Sequence, residues 1–118
     1  MAELSAQKIS ETGLNPTYAS ATEGGDTVVS DGGVFLHVKL TGDVENCTVT
    51  VTKTISSIDL DGYGDLTKSN ATVTVSNSNP DGFLGPFPPF AFNSTTGDGT
   101  IAITYSSVSG ITIAAFYL

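Results

Sequence analysis

The chain has 118 residues, enough for one compact domain with a single core and short for two. Its 39% hydrophobic content excludes a disordered chain, and no apolar run approaches the ~20 residues of a membrane-spanning helix. Twelve acids against four lysines and no arginine give a net charge of −8, and the scattered Lys8, Lys39, Lys53 and Lys68 do not build the basic surface that nucleic acid requires.

Residues 1–10 carry neither the basic nor the apolar stretch of a secretory leader. The single cysteine, Cys47, excludes an intramolecular disulfide and a cysteine-based zinc site. Val, Ile and Thr supply 34 of the 118 residues, and these β-branched side chains favour strands. Thirteen Gly and five Pro punctuate the chain at short intervals, which suits an all-β sandwich or barrel.

Residues 1–33 read as a weakly patterned N-terminal arm with short strands. Gln7-Lys8-Ile9-Ser10 and Thr27-Val28-Val29 are its strand candidates, separated by a turn at Gly13-Leu14-Asn15-Pro16 and a small, polar loop over residues 19–26. The body, residues 34–118, opens with clean alternation. Val34, Leu36, Val38 and Leu40 take one face, and Phe35, His37 and Lys39 the other. Val49, Val51 and Ile55 face away from Thr48, Thr50, Thr52 and Thr54, and Thr72-Val73-Thr74-Val75 repeats the pattern. A period of two with threonine outside marks a half-buried antiparallel strand.

Residues 56–70 read as an acidic loop and its exit. Residues 83–92 are apolar but broken by Pro86, Pro88 and Pro89, which predicts an edge strand or an extended segment. Residues 100–105 and 111–118 are the last strands, and the final one is apolar on both faces. The expected fold is an antiparallel β-sandwich, jelly-roll-like, of about seven or eight strands, with helix under about 10% of the chain.

Candidate sites are few. His37, the only histidine, has no nucleophile or orienting partner that the sequence identifies, and Cys47 has no activating motif beside it, so no enzyme is expected. Asp59, Asp61 and Asp65 with Gly62 and Gly64 form D-x-D-G-x-G-D, the one arrangement with calcium-ligand character. It lacks an EF-hand's third ligand at Tyr63, its closing Glu at Asn70 and its flanking helices, so a solvated acidic hairpin tip is the simpler reading and no cofactor is expected. Phe87, Phe90 and Phe116, in the two most apolar segments, are expected to meet a neighbouring subunit or another protein, because an open apolar edge invites association.

The order of these segments resembles a family of small decoration, or cement, proteins of tailed bacteriophage capsids. The resemblance rests on Gln7-Lys8-Ile9, Gly13-Leu14-Asn15-Pro16-Thr17-Tyr18, Gly24-Gly25-Asp26-Thr27 and Phe35-Leu36-His37-Val38-Lys39. Gly85-Pro86-Phe87-Pro88, Phe92-Asn93 and a closing Ile/Thr/Ala strand complete it, while residues 53–79 depart from the pattern. It implies a homotrimeric β-sandwich on the outside of the virion, bound to the major capsid protein where its subunits meet. On that reading the arm attaches to the capsid through Ile9, Leu14 and Tyr18. A fibre or adhesin module that binds carbohydrate through Tyr18 or Tyr63 is the alternative the same composition allows.

Overall fold

Twelve strands and one helical turn follow one another in the computed structural model, which describes residues 2–55, 57–94 and 99–118, with side chains except those of Ile58, Asp59, Leu60 and Leu66. In chain order they are β1 (Ala2–Leu4), β2 (Ala6–Lys8), β3 (Ala19–Ser20), β4 (Asp26–Val29), β5 (Phe35–Leu40), β6 (Cys47–Val51) and β7 (Ser57–Leu60). After them come β8 (Gly64–Thr67), β9 (Ala71–Val75), β10 (Asp81–Leu84), α1 (Pro89–Phe92), β11 (Thr100–Tyr105) and β12 (Ile111–Tyr117).

Two sheets form the sandwich. The first runs β1-β4-β11-β6-β9, the second runs β10-β5-β12-β2, and β3 adds to β12. Strand alternation sends one set of side chains between them. Val28, Cys47, Val49, Val51, Val75, Ile101 and Ile103 from the first sheet meet Leu36, Val38, Leu40, Leu84, Ile111, Ile113 and Ala115 from the second in one core. At one side of the sandwich the chain passes from β1 to β2 through Ser5 alone and so switches sheets. At the other side β10 meets β9 where Gly82 leaves room: a Cβ there would stand 2.9 Å from the Val73 side chain.

The all-β sandwich is as the sequence predicts, with four differences in detail. The strands number twelve among the described residues, because short edge pieces and the β7–β8 hairpin occupy stretches that read as arm and loop. The sheets are mixed rather than purely antiparallel: β1 runs parallel to β4, and β2 parallel to β12. Residues 2–33 contribute strands to both sheets, and β4 lies between β1 and β11 with Val28 fully buried. Finally, Pro89–Phe92 closes a turn of helix, with proline at its start, where a fixed φ and a missing N–H do no harm.

Phe87, expected at a contact surface, is 1% exposed and packs edge-on against Phe92 at 5.4 Å between centroids. With prolines denying Phe87's neighbours a place in the ladder, the segment turns this ring into the core instead of outward. Phe116, also expected at a contact, is 5% exposed and covered by this chain's own residues.

Candidate functional site

The outer face of the second sheet carries a cluster of aromatic and ionisable groups. The register places Phe83 of β10 opposite His37 of β5, and His37 opposite Ala114 of β12. Phe35 lies opposite Phe116, and Asp81 opposite Lys39. These residues alternate with the core residues of the same strands, so they share the outer surface. Ala114 and Phe116 are buried there, outside the shared core.

What packs on Phe116 is the segment after β2. Residues 9–18 cross this face as a strap with few backbone ties. The Ile9 amide donates to the Tyr117 carbonyl at 2.8 Å. The Gln7 side chain grips Thr17 twice: Nε2 donates to its carbonyl at 2.8 Å, and Oε1 accepts from its amide at 2.9 Å. That carboxamide reproduces the donor–acceptor pair of a β-ladder where no ladder exists. Tyr18 then packs edge-on to Phe116, with 6.2 Å between centroids, and to His37, with 5.5 Å.

His37 is the centre of the site. Its Nδ1 lies 2.7 Å from the Tyr18 hydroxyl and its Nε2 lies 3.1 Å from Asp81 Oδ1. A carboxylate only accepts, so Nε2 donates to Asp81, while Nδ1 meets a Tyr18 hydroxyl that is able to give or take the hydrogen bond. The Phe83 ring lies flat on the imidazole, 4.4 Å between centroids and 8° from parallel. The Lys39 ammonium sits 4.8 Å from the Tyr18 ring centroid. The imidazole is thus held by two hydrogen bonds and two ring contacts. It fixes the strap to the sheet through Tyr18 and holds Phe83 in one orientation.

Between strap and sheet lies a concavity of about 270 Å³, with Phe35, His37 and Phe116 along its floor and Ile9, Leu14 and Phe83 at its rim. Ile9 and Leu14 are each 36% exposed and Phe83 is 63% exposed. A hollow of about 350 Å³ lies against Gln7, Thr17, Ala19 and Ala114, and it offers no aromatic ring.

Of the residues the sequence singled out, Ile9, Leu14, Tyr18 and Phe116 come together at this site. Phe87 is in the core, and Phe90 stands 64% exposed on α1. Asp81 is not legible as a site residue from the sequence, and Phe83 reads there only as part of the apolar segment 83–92. Their alternation on β10 was readable, but their place beside His37 depends on a pairing across 44 residues.

The acidic candidates belong to the β7–β8 hairpin, whose register pairs Asp59 with Asp65. Asp61 and Asp65 are exposed, Tyr63 is 83% exposed, and the Asp59 side chain lies outside the described residues. No group of three potential metal ligands occurs among the described residues.

A second polar cluster is structural. Asp26 is 1% exposed and accepts from the Ala2 amide, the Thr22 amide and the Tyr105 hydroxyl. Cys47, also buried, donates to the Ser107 carbonyl.

Comparison of the chain with protein-family models, curated proteins and solved structures gives no match.

Proposed function

We propose that this chain is a structural, non-enzymatic protein of a tailed-phage virion that decorates the outer surface of the head. On this reading it binds the major capsid protein at junctions between its subunits and acts as a homotrimer. The observation that carries the reading is the exposed aromatic face, where Phe83, Ile9 and Leu14 present apolar surface around a concavity on a chain of net charge −8. An apolar patch of this kind, rimmed by polar groups, suits a protein contact. The order of motifs, which resembles decoration proteins, supports the choice of a capsid as partner. Cementing requires adhesion at many equivalent positions, and repetition multiplies a modest single contact.

The Tyr18–His37–Asp81 chain serves attachment in this reading by fixing the strap that forms one wall of the contact. The test is co-sedimentation of the protein with heads of its own phage that lack it. Saturable binding by the wild type, with occupancy reduced at least about tenfold by Phe83→Ala, is expected. No binding by the wild type, or wild-type occupancy by the variant, overturns it. Mass photometry of the free protein tests the trimer.

A second reading has one observation of its own. Tyr63 projects from the hairpin tip between exposed Asp61 and Asp65, and an aromatic ring beside carboxylates suits a sugar. A carbohydrate-binding fibre or adhesin module is therefore the alternative. A glycan-array hit lost in Tyr63→Ala, together with no affinity for heads, would establish it instead.

A further inference from the structure

The geometry points to the site at Phe83 and Asp81 as a receptor for an arginine side chain of the protein to which this chain attaches. The inference rests on the reading that the aromatic face meets a protein.

Three observations converge on a planar cation. Phe83 is pinned flat against His37 on one side and is 63% exposed, so its other side offers a rigid aromatic surface to solvent. Asp81 lies two residues before it on the same face of β10, 57% exposed, with its Oδ1 bonded to His37. Residues two apart on a strand stand roughly 7 Å from one another. That spacing suits a guanidinium that stacks on the ring while its edge N–H groups reach the carboxylate. The chain itself has twelve acids and no arginine, so a cationic partner complements its field.

Arginine fits better than lysine. Its guanidinium is flat, sheds water more readily and donates from a fixed fork, whereas an ammonium is compact and strongly hydrated. Lys39, opposite Asp81 in the register, is the local competitor. Its ammonium is engaged over the Tyr18 ring rather than over Phe83. Its positive charge nonetheless weakens the site for any second cation, which makes Lys39 a useful control.

The test is a titration of the isotope-labelled full chain, followed by NMR, with N-acetylarginine amide and with N-acetylcitrulline amide. Citrulline has nearly the same shape and no charge. Saturable shifts at Asp81, Gly82, Phe83 and His37 are expected, with the arginine probe at least about fivefold tighter than the citrulline probe. Phe83→Ala and Asp81→Asn should each weaken the arginine probe about fivefold or more, and Lys39→Gln should tighten it. Both weakened positions are exposed, so a preserved amide spectrum away from β10 will verify the fold of each variant. Equal affinity for the two probes, absence of saturable shifts at these residues, or indifference to Phe83→Ala would overturn the proposal. Wild-type protein that binds heads but shows no arginine affinity would refute the receptor alone. Arginine affinity in a wild-type protein that does not bind heads would refute the capsid reading and leave the receptor standing.

Discussion

The Tyr105 hydroxyl donates to Asp26 Oδ2 at 2.6 Å, joining β11 to the start of β4 across 79 residues. The same carboxylate accepts from the Ala2 amide at 3.3 Å and from the Thr22 amide at 3.2 Å. One buried anion therefore ties together the first strand, the loop before β4 and the strand beside it. Its three donors make it tolerable inside, because an uncompensated buried carboxylate would cost several kcal/mol, on the order of 3–5.

This pairing has a pH signature. Burial, and then the hydrogen bond and negative charge of Asp26, push the Tyr105 hydroxyl above its ordinary value. A tyrosine in the unfolded chain ionises near pH 10, whereas the folded one resists. The unfolded state therefore loses this proton first, and stability falls as pH rises above about 10. Urea midpoints measured at pH 8 and pH 11 should show the fall, and Tyr105→Phe should reduce it. The variant should also lose about 1–3 kcal/mol at pH 8.

Phe87 tests the core assignment. Truncation to alanine removes a ring that is 1% exposed and leaves Phe92 without its partner. A loss of about 3–5 kcal/mol in equilibrium unfolding is expected. A change below 1 kcal/mol would place the ring at the surface.

The strap responds separately from the core. Gln7→Ala removes both bonds to Thr17 at a residue that is not itself part of the core. Hydrogen exchange at the Thr17 amide should accelerate, while the global unfolding free energy changes by less than about 1 kcal/mol. Unchanged exchange at Thr17 would show that the strap is held elsewhere.

Removal of residues 2–20 should harm more than attachment. It deletes β1, β2 and β3, takes the Ala2 donor from Asp26 and uncovers Phe116. The exposure of Phe116 and the loss of buried Leu4 alone amount to at least about 3 kcal/mol. The truncated chain should unfold at lower urea concentration and bind a hydrophobic dye. Wild-type stability would restore these residues to the status of a dispensable arm.

Local pattern made the strands legible, because side chains alternate along any strand whatever its partner. Leu36, Val38 and Leu40 in β5, and Val49 and Val51 in β6, face the core as the alternation predicts. Ile55 does not extend that strand, since β6 ends at Val51. The two-faced apolarity of the last strand was equally readable, but not its cause. Phe116 packs against Tyr18 of a strap of the same chain, which makes its burial intramolecular.

The sequence by itself determined the fold class, the core faces of the long strands, the acidic balance and the shortage of catalytic motifs. Tertiary structure decided which segments meet. Tyr18 reaches His37 across 19 residues and Asp81 reaches it across 44, and no local period encodes either contact. Short strands such as β1 and β2 contain three residues each, too few to declare a period, and they exist because two sheet edges are there to receive them. Alternation follows from the backbone of one strand, but strand pairing is chosen among many long-range alternatives by the total burial and hydrogen bonding each permits.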